Sequence, residues 1–207
     1  MDRKGILLVV SGFSGKGTLM KELVSRYDNY ALSISATTRS PREGEVDGRE
    51  YFFRTKEEFE QMIADEALIE HACYVGNYYG TPRAYVEEQL ALGRDVILEI
   101  EIQGALQIKK RFPDTLLLFV STPDAETLKN RLIGRGTESL DVVEKRLSRA
   151  SEEAEGIENY DYFIINDDLD TCVTQVHQII QGEHSRVSRN LELINTIKKD
   201  ISKFQKG

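Results

Sequence analysis

The sequence predicts a three-layer α/β fold in which helices cover both faces of a mostly parallel sheet. The first observation is a continuous apolar run over residues 6–10, which is typical of a strand buried on both faces. A glycine-rich turn follows over residues 11–17, and residues 18–24 then have the pattern of a helix. Beyond it, short apolar runs alternate with helical patterns, which favours parallel strands joined by right-handed crossovers.

The remaining core elements follow from the same patterns. Later strands are predicted at residues 95–102, 116–120 and 163–165. Later helices are predicted at residues 82–92, 124–132, 140–156 and 171–180. Two carboxylates, Glu99 and Glu101, alternate on the first of these strands and should therefore leave the same face. Because a buried charge is costly without a cation or a donor, the pair indicates a ligand site at the strand's carboxyl end.

A strand-rich insertion is predicted between the first helix and residue 82. Its expected elements are strands at 31–36, 49–53 and 68–80 and a helix at 56–65, with a turn signal at 77–80. We therefore expect a core domain of residues 1–34, 82–125 and 160–182, an insertion lobe of residues 35–81 and a helical lid of residues 126–159. Residues 183–207 form a helical tail.

Composition limits the classes of function. The chain has 207 residues, of which 40% are hydrophobic, enough for one sizeable core with small appended lobes. Its net charge of -8 argues against general nucleic-acid binding, so any phosphate must be held by a few cations in a cleft. Two cysteines without metal spacing, and apolar runs too short to cross a bilayer, predict a cytoplasmic protein without a membrane partner.

The turn after the first strand is a candidate phosphate-binding loop. Its candidate nucleotide-binding residues are Gly12, Ser14, Gly15, Lys16, Gly17 and Thr18. Glycines let successive amides turn towards a phosphate, and the helix that follows directs its positive end to the same place. The usual pattern has four residues between its two glycines, whereas only Phe13 and Ser14 stand between Gly12 and Gly15. Three explanations of the short loop stay open: the protein binds ATP weakly, the loop was shortened deliberately, or two residues are missing from the sequence.

Several segments together resemble the guanylate kinase family. The segment 35–51 resembles its GMP-binding signature, and the likeness spans most of residues 5–180 and leaves the tail outside. The other matching segments are 68–70, 76–81, 97–104, 131–136, 145–147 and 165–169. The resemblance implies reversible phosphoryl transfer from ATP to GMP or dGMP, giving ADP and GDP, with Mg²⁺ as cofactor.

The resemblance also implies a role for each matching side chain. The GMP phosphate would be held by Arg39, Arg42, Tyr51 and Tyr79, which offer bidentate cations and hydroxyl donors. Guanine presents two donors on one edge, so carboxylates are its discriminating partners, and Glu70 and Glu101 take that role. Ser35 and Thr81 would add hydroxyl contacts to the base.

On the ATP side, the resemblance assigns cations above and below the phosphates. Lys16 would reach the β- and γ-phosphates, and Thr18 and Glu99 would lie near Mg²⁺, the latter through water. The arginines expected to close over the phosphates from the lid are Arg131, Arg135 and Arg146. Asn166 matches the family residue near the adenine.

Three alternatives remain at this stage. The short loop favours a protein that binds GMP but is impaired in ATP binding, or a related interaction module that has lost catalysis. A kinase acting on AMP or UMP is the third, and the two carboxylates argue against it. The tail has apolar residues at spacings of three and four, which predicts a helix packed on its own domain, with a homodimer through this helix as the alternative.

Overall fold

The structure is a computed structural model that describes residues 4–74, 76–133 and 140–204. Within these residues the strands form two sheets, here called the core sheet and the lobe sheet. The strands are β1 (Leu7–Gly12), β2 (Tyr30–Leu32), β3 (Ala36–Thr37), β4 (Phe52–Phe53), β5 (Leu68–Tyr74), β6 (Asn77–Pro82), β7 (Asp95–Glu99), β8 (Leu116–Ser121) and β9 (Tyr162–Ile165). The helices are α1 (Lys16–Arg26), α2 (Lys56–Ala64), α3 (Arg83–Ala91), α4 (Ile102–Arg111), α5 (Ala125–Ile133), α6 (Leu140–Ala154), α7 (Leu169–His184) and α8 (Leu191–Lys203).

The core sheet confirms the predicted three-layer α/β fold. Its strand order is β2-β7-β1-β8-β9, and the neighbouring strands pair in parallel. On one face, α1 and α7 cover the sheet with side chains such as Leu23 and Val176. On the other face, α3 and α4 contribute Val86 and Ile108. Burial on both faces explains the uninterrupted apolar run of β1, whose residue Val9 is fully buried.

The lobe sheet lies in the chain between β2 and α3. Its strand order is β4-β3-β6-β5, and α2 packs on it through the fully buried Phe59. This helix begins with a capping box, in which Thr55 accepts from the Glu58 amide and Glu58 accepts from the Thr55 amide. The division of the chain into domains stays a prediction.

Two predictions within the lobe were wrong. The strand expected at residues 31–36 is two short strands in different sheets, because the Ser33 amide bonds to Ile97 of the core while the Ser35 carbonyl accepts from Phe52 of the lobe. The turn expected at residues 77–80 is part of β6, which pairs antiparallel with β5. The reversal lies beside Gly76, which has a φ of 77° that glycine adopts without strain.

The strand expected at residues 95–102 ends earlier than predicted. β7 ends at Glu99, where its pairing with β1 also ends, and α4 begins at Ile102. Glu101 is the N-cap residue of α4 and is exposed, so the expected same-face pair of buried carboxylates on one strand is wrong. Helix α4 was not predicted. Its buried positions, Ala105 and Ile108, recur at a spacing of three, and the strand prediction had absorbed its first residue.

The tail does not pack as predicted. None of the residues of α8 is buried, and Ile197, Ile201 and Phe204 are about half exposed or more. The segment before α8 is anchored instead by buried Glu183, which accepts from the Tyr162 hydroxyl and from Arg186. The homodimer through this helix stays a prediction. In the part of the chain that is described, no helix has both the length and the apolar content to cross a bilayer.

Candidate functional site

A cavity of about 680 Å³ lies between the carboxyl ends of core strands and the lobe sheet. This edge of a parallel sheet is where α/β proteins bind ligands. The predicted site residues that line the cavity are Lys16, Gly17, Ser35, Arg39, Arg42, Tyr51, Glu70, Tyr79, Glu99 and Glu101. Side chains from distant segments of the sequence therefore meet in one place.

The cationic end of the cavity is formed by the loop between β3 and β4. The Arg39 guanidinium lies over the Tyr51 ring at 5.2 Å, and that ring meets Tyr79 edge to face at 6.1 Å. Arg39 also donates to both carboxylate oxygens of Glu45 at 2.9 Å, and the Arg42 amide donates to one of them at 2.7 Å. Guanidinium and phenol donors in this cluster suit a phosphate dianion.

Glu70 lies on β5 and is buried, with 7% of its surface exposed. The Thr81 hydroxyl on β6 donates to its Oε1 at 2.8 Å. Burial raises the pKa of Glu70 to about 7, and the hydrogen bonds from Thr81 only partly oppose this shift. Glu101 lines the same cavity from the start of α4. Glu70 is buried and Glu101 is exposed, and both carboxylates line the cavity and can accept hydrogen bonds from a donor-rich ligand.

Glu99, at the end of β7, connects this cavity with the phosphate loop. Burial raises the pKa of Glu99, while Lys16 and Lys21 lower it. Its carboxylate is the kind of oxygen ligand that Mg²⁺ prefers. Thr18, the other residue predicted to lie near Mg²⁺, is exposed on the first turn of α1. Within the described residues, no three or more His, Cys, Asp or Glu side chains are arranged to hold a metal ion by themselves, so Mg²⁺ held here would need water and nucleotide oxygens as further ligands.

The phosphate loop is a tight connection between β1 and α1. Gly15 has a φ of 84° and is the N-cap residue of α1, so Lys16 opens the helix. The Lys16 ammonium donates to the Gly12 carbonyl, and the Phe13 amide donates to the Val120 carbonyl at 3.1 Å. These bonds tie the loop to its own strand and to β8. A loop with two fewer residues has fewer amides to converge on a phosphate.

Arg131 and Asn166, which were predicted for the lid and for the adenine site, lie beside this loop. Arg131 donates to the Asn166 carbonyl at 2.7 Å, and Asn166 is buried. A Cβ on Gly15 would lie 2.4 Å from the Asn166 amide nitrogen, so the shortened loop and Asn166 are in close contact. Arg135 lies outside the described residues, and Arg146 lies on α6 with its side chain outside them.

Sequence reasoning gave no role to several residues that line the cavity, and three of them bear on its chemistry. Glu45 forms an ion pair with Arg39, and its position as an acid in an arginine-rich loop could have indicated this role. Lys21 stands one helical turn after Gly17, and this spacing could have indicated it. Gly104 lines the cavity from α4, a helix that was not expected.

The fold and the site define a class of protein. A first strand that leads through a glycine loop into a helix, beside a cavity lined by arginines, tyrosines and carboxylates, is typical of phosphate-loop nucleoside-monophosphate kinases. A family model described as guanylate kinase matches residues 3–183. The chain belongs to the guanylate kinase family, and the predicted resemblance is confirmed.

Individual relatives agree with this result. A guanylate kinase from Bacillus anthracis is 53% identical over 191 residues, which covers 91% of this chain and 93% of the relative. A guanylate kinase from Streptococcus agalactiae is 47% identical over 206 residues, 98% of this chain and 99% of the relative. The crystal structure of guanylate kinase from Anaplasma phagocytophilum matches with a TM-score of 0.74 at 30% identity and covers 89% of each chain.

Proposed function

We propose that this chain is a cytoplasmic enzyme that transfers a phosphoryl group reversibly between ATP and GMP or dGMP. The observation that carries the proposal is the cavity with Arg39 and Arg42 near one end and buried Glu70 at the other. A nucleoside monophosphate has the matching polarity, since its phosphate is anionic and guanine presents hydrogen-bond donors. Adenine has an acceptor at N1 and no amine at C2, so it lacks the two donors that guanine offers a buried carboxylate, and a polar site penalises this loss strongly.

In the proposed complex, the cavity would hold GMP by its two ends. Arg39, Arg42, Tyr51 and Tyr79 bind the phosphate, while Glu70 and Glu101 accept from the guanine edge. Ser35 adds a hydroxyl from the cavity wall. Thr81 is fully buried and donates to Glu70, which supports a positioning role besides the direct base contact that we predict.

The donor half of the proposal rests on the phosphate loop and the lid. Lys16 and the amides of residues 12–18 would hold the ATP phosphates, with Asn166 near the adenine. Mg²⁺, when bound, would neutralise charge on the phosphates, and Glu99 with Thr18 would hold it partly through water. Arg131, Arg135 and Arg146 would cover the phosphates and help to exclude water, which otherwise accepts the phosphoryl group.

A second candidate function follows from the loop itself. Lys16, the residue that should reach the ATP phosphates, donates to the Gly12 carbonyl across a loop two residues short of the pattern. This geometry favours a protein that binds GMP normally but is impaired in ATP binding. The two candidates share their acceptor site and differ only on the donor side.

Titration calorimetry with each nucleotide alone separates these candidates. Both candidates predict binding of GMP and no binding of AMP. Only the active kinase predicts binding of a non-hydrolysable ATP analogue together with Mg²⁺. An assay of ADP production should then show turnover with GMP and dGMP and almost none with AMP. Absence of GMP binding would contradict both candidates and favour an interaction module.

Pairing of two chains through α8 is the remaining part of the proposal. A helix of 13 residues is marginally stable in water without tertiary contacts, and none of its residues is buried. Its exposed Ile197, Ile201 and Phe204 follow the spacing of a coiled-coil seam. Sedimentation velocity should show a dimer that Ile197→Lys dissociates and Asn195→Lys, on the polar face, does not. A monomer at every concentration would contradict the pairing.

A further inference from the structure

Gly104 stands directly against the buried carboxylate of the cavity. It is the third residue of α4, is buried and lines the cavity. A Cβ built on it would lie 2.9 Å from Glu70 Oε2 and 3.2 Å from Ile100 Cδ1. Real Cβ atoms almost never approach another heavy atom within 3.0 Å. The carboxylate therefore occupies space that any other residue at position 104 would fill.

The backbone does not explain this glycine. Gly104 lies inside a regular helix and has no positive φ, so an alanine could adopt the same conformation. Glycine in a helix interior is less favourable than alanine by about 1 kcal/mol. The nearest atoms that a methyl group would meet belong to Glu70 and Ile100. The glycine therefore destabilises α4 slightly and leaves room for the Glu70 carboxylate.

Glu70 is held from two sides by different elements. On the β6 side, Thr81 donates to Oε1 at 2.8 Å, and on the α4 side the close approach of Gly104 limits Oε2. Arg111, at the end of α4, donates to the Ile69 carbonyl at 3.3 Å and ties the helix to β5. A hydrogen bond fixes one oxygen, and the other oxygen lies in space that is open only because residue 104 has no side chain.

We propose that Gly104 is a positioning residue that sets recognition of the guanine base through the orientation of Glu70. The proposal rests on GMP being the acceptor. A methyl group at position 104 displaces the carboxylate by a few tenths of an ångström and misaligns it with the donors of guanine. Contacts to the nucleotide phosphate lie at the other end of the cavity and are unaffected.

The test is Gly104→Ala, with Gly182→Ala as the matched control. Gly182 lies inside α7 and a Cβ there meets nothing within 4 Å, so both variants gain the same helix propensity. We expect Gly104→Ala to melt no lower than the wild type but to bind GMP about tenfold more weakly. Its kcat at saturating GMP and its KM for ATP stay unchanged. Inhibition by ribose 5-phosphate, which has the phosphate but no base, also stays unchanged, and Gly182→Ala matches the wild type throughout.

A double-mutant cycle with Glu70→Asp distinguishes positioning from general damage. The shorter aspartate withdraws the carboxylate from α4, so Gly104→Ala should cost little further GMP affinity in that background. Equal GMP affinity in the wild type and Gly104→Ala, or a full tenfold loss in both backgrounds, would overturn the inference alone. A wild-type protein that does not bind GMP would overturn the proposed function, and with it this inference.

Discussion

The acceptor end of the cavity and the phosphate loop are built by different means. The acceptor end takes long side chains from separate segments, including Arg39, Glu70 and Glu101, and brings them together through two sheets and a helix. The loop depends on consecutive backbone amides within residues 12–18. A site of side chains draws on several segments of the chain, whereas a site of amides depends on the number of residues in one segment.

This difference predicts that GMP binding and the use of ATP can be altered separately in this chain. Every predicted GMP-binding residue is present in the sequence, and all but Thr81, which stands behind Glu70, line the cavity. The loop keeps its lysine and glycines but not their spacing. We therefore expect the acceptor side to behave as in the family and the donor side to be weakened. The experiments below test each side without the other.

The largest effect is expected when Arg39 is replaced. Arg39→Met removes the guanidinium beside Tyr51 while keeping an apolar stem, and it should weaken GMP binding by about 3 kcal/mol, or roughly a hundredfold. Binding of an ATP analogue should not change. Titration calorimetry with each ligand measures both effects.

Arg54→Met is the matched control for Arg39→Met. Arg54 lies on the same lobe over the Phe52 ring and pairs with exposed Asp47, so it makes comparable contacts outside the cavity. Its replacement should leave GMP affinity within about twofold, because exposed ion pairs contribute little. Equal losses in both variants would mean that the lobe, and not a phosphate contact, is responsible.

An insertion in the loop is expected to have the next largest effect. Two small residues, Ala-Gly, placed between Ser14 and Lys16 restore the spacing of the pattern and add two amides that can face a phosphate. Each charge-assisted hydrogen bond is worth about 1.5–3 kcal/mol, so kcat/KM for ATP should rise at least tenfold. GMP affinity should stay the same.

An insertion of the same two residues into an exposed turn serves as the control. The turn at Gly44 is suitable for its geometry, since a Cβ there meets nothing within 4 Å, but it borders the acceptor side. An insertion between Lys110 and Arg111 would interrupt α4. The control insertion is therefore placed after Leu92, at the exposed end of α3. Unchanged use of ATP after the loop insertion would refute the spacing argument.

The sequence predicted the core better than the edges of the cavity. Strands such as β1 and β8 are buried on both faces, so their apolar runs identify them without tertiary information. The shift from β7 to α4 could not be read in the same way, because Ile100 and Ile102 suit either a strand or a helix. β7 ends where its pairing with β1 ends, and this depends on a tertiary contact that the local sequence does not show.

The site residues divide along the same line. Arg39, Tyr51 and Glu70 belong to motifs whose residue types carry the chemistry, so a resemblance could indicate them before the structure was known. Glu45 and Gly104 act on those residues through contacts between segments. Glu45 stands in the same arginine-rich loop as Arg39, so the sequence carried a weak signal for it, whereas nothing in the sequence relates Gly104 to Glu70, and only the packing of α4 reveals that contact.

The smallest of the expected effects is a dependence of GMP affinity on pH. Burial raises the pKa of Glu70 to about 7, and guanine donors require the ionised carboxylate. Raising the pH from 6 to 8 should take the ionised fraction from roughly a tenth to roughly nine tenths and strengthen GMP binding up to about tenfold. The phosphate of GMP, whose second pKa is about 6, strengthens binding in the same direction. Calorimetry on Glu70→Gln isolates the two contributions, because the amide cannot ionise and only the phosphate's contribution remains. A wild-type profile as shallow as that of the variant would show that Glu70 stays ionised throughout this range, and the burial that distinguishes it from exposed Glu101 would then have no bearing on recognition of the base.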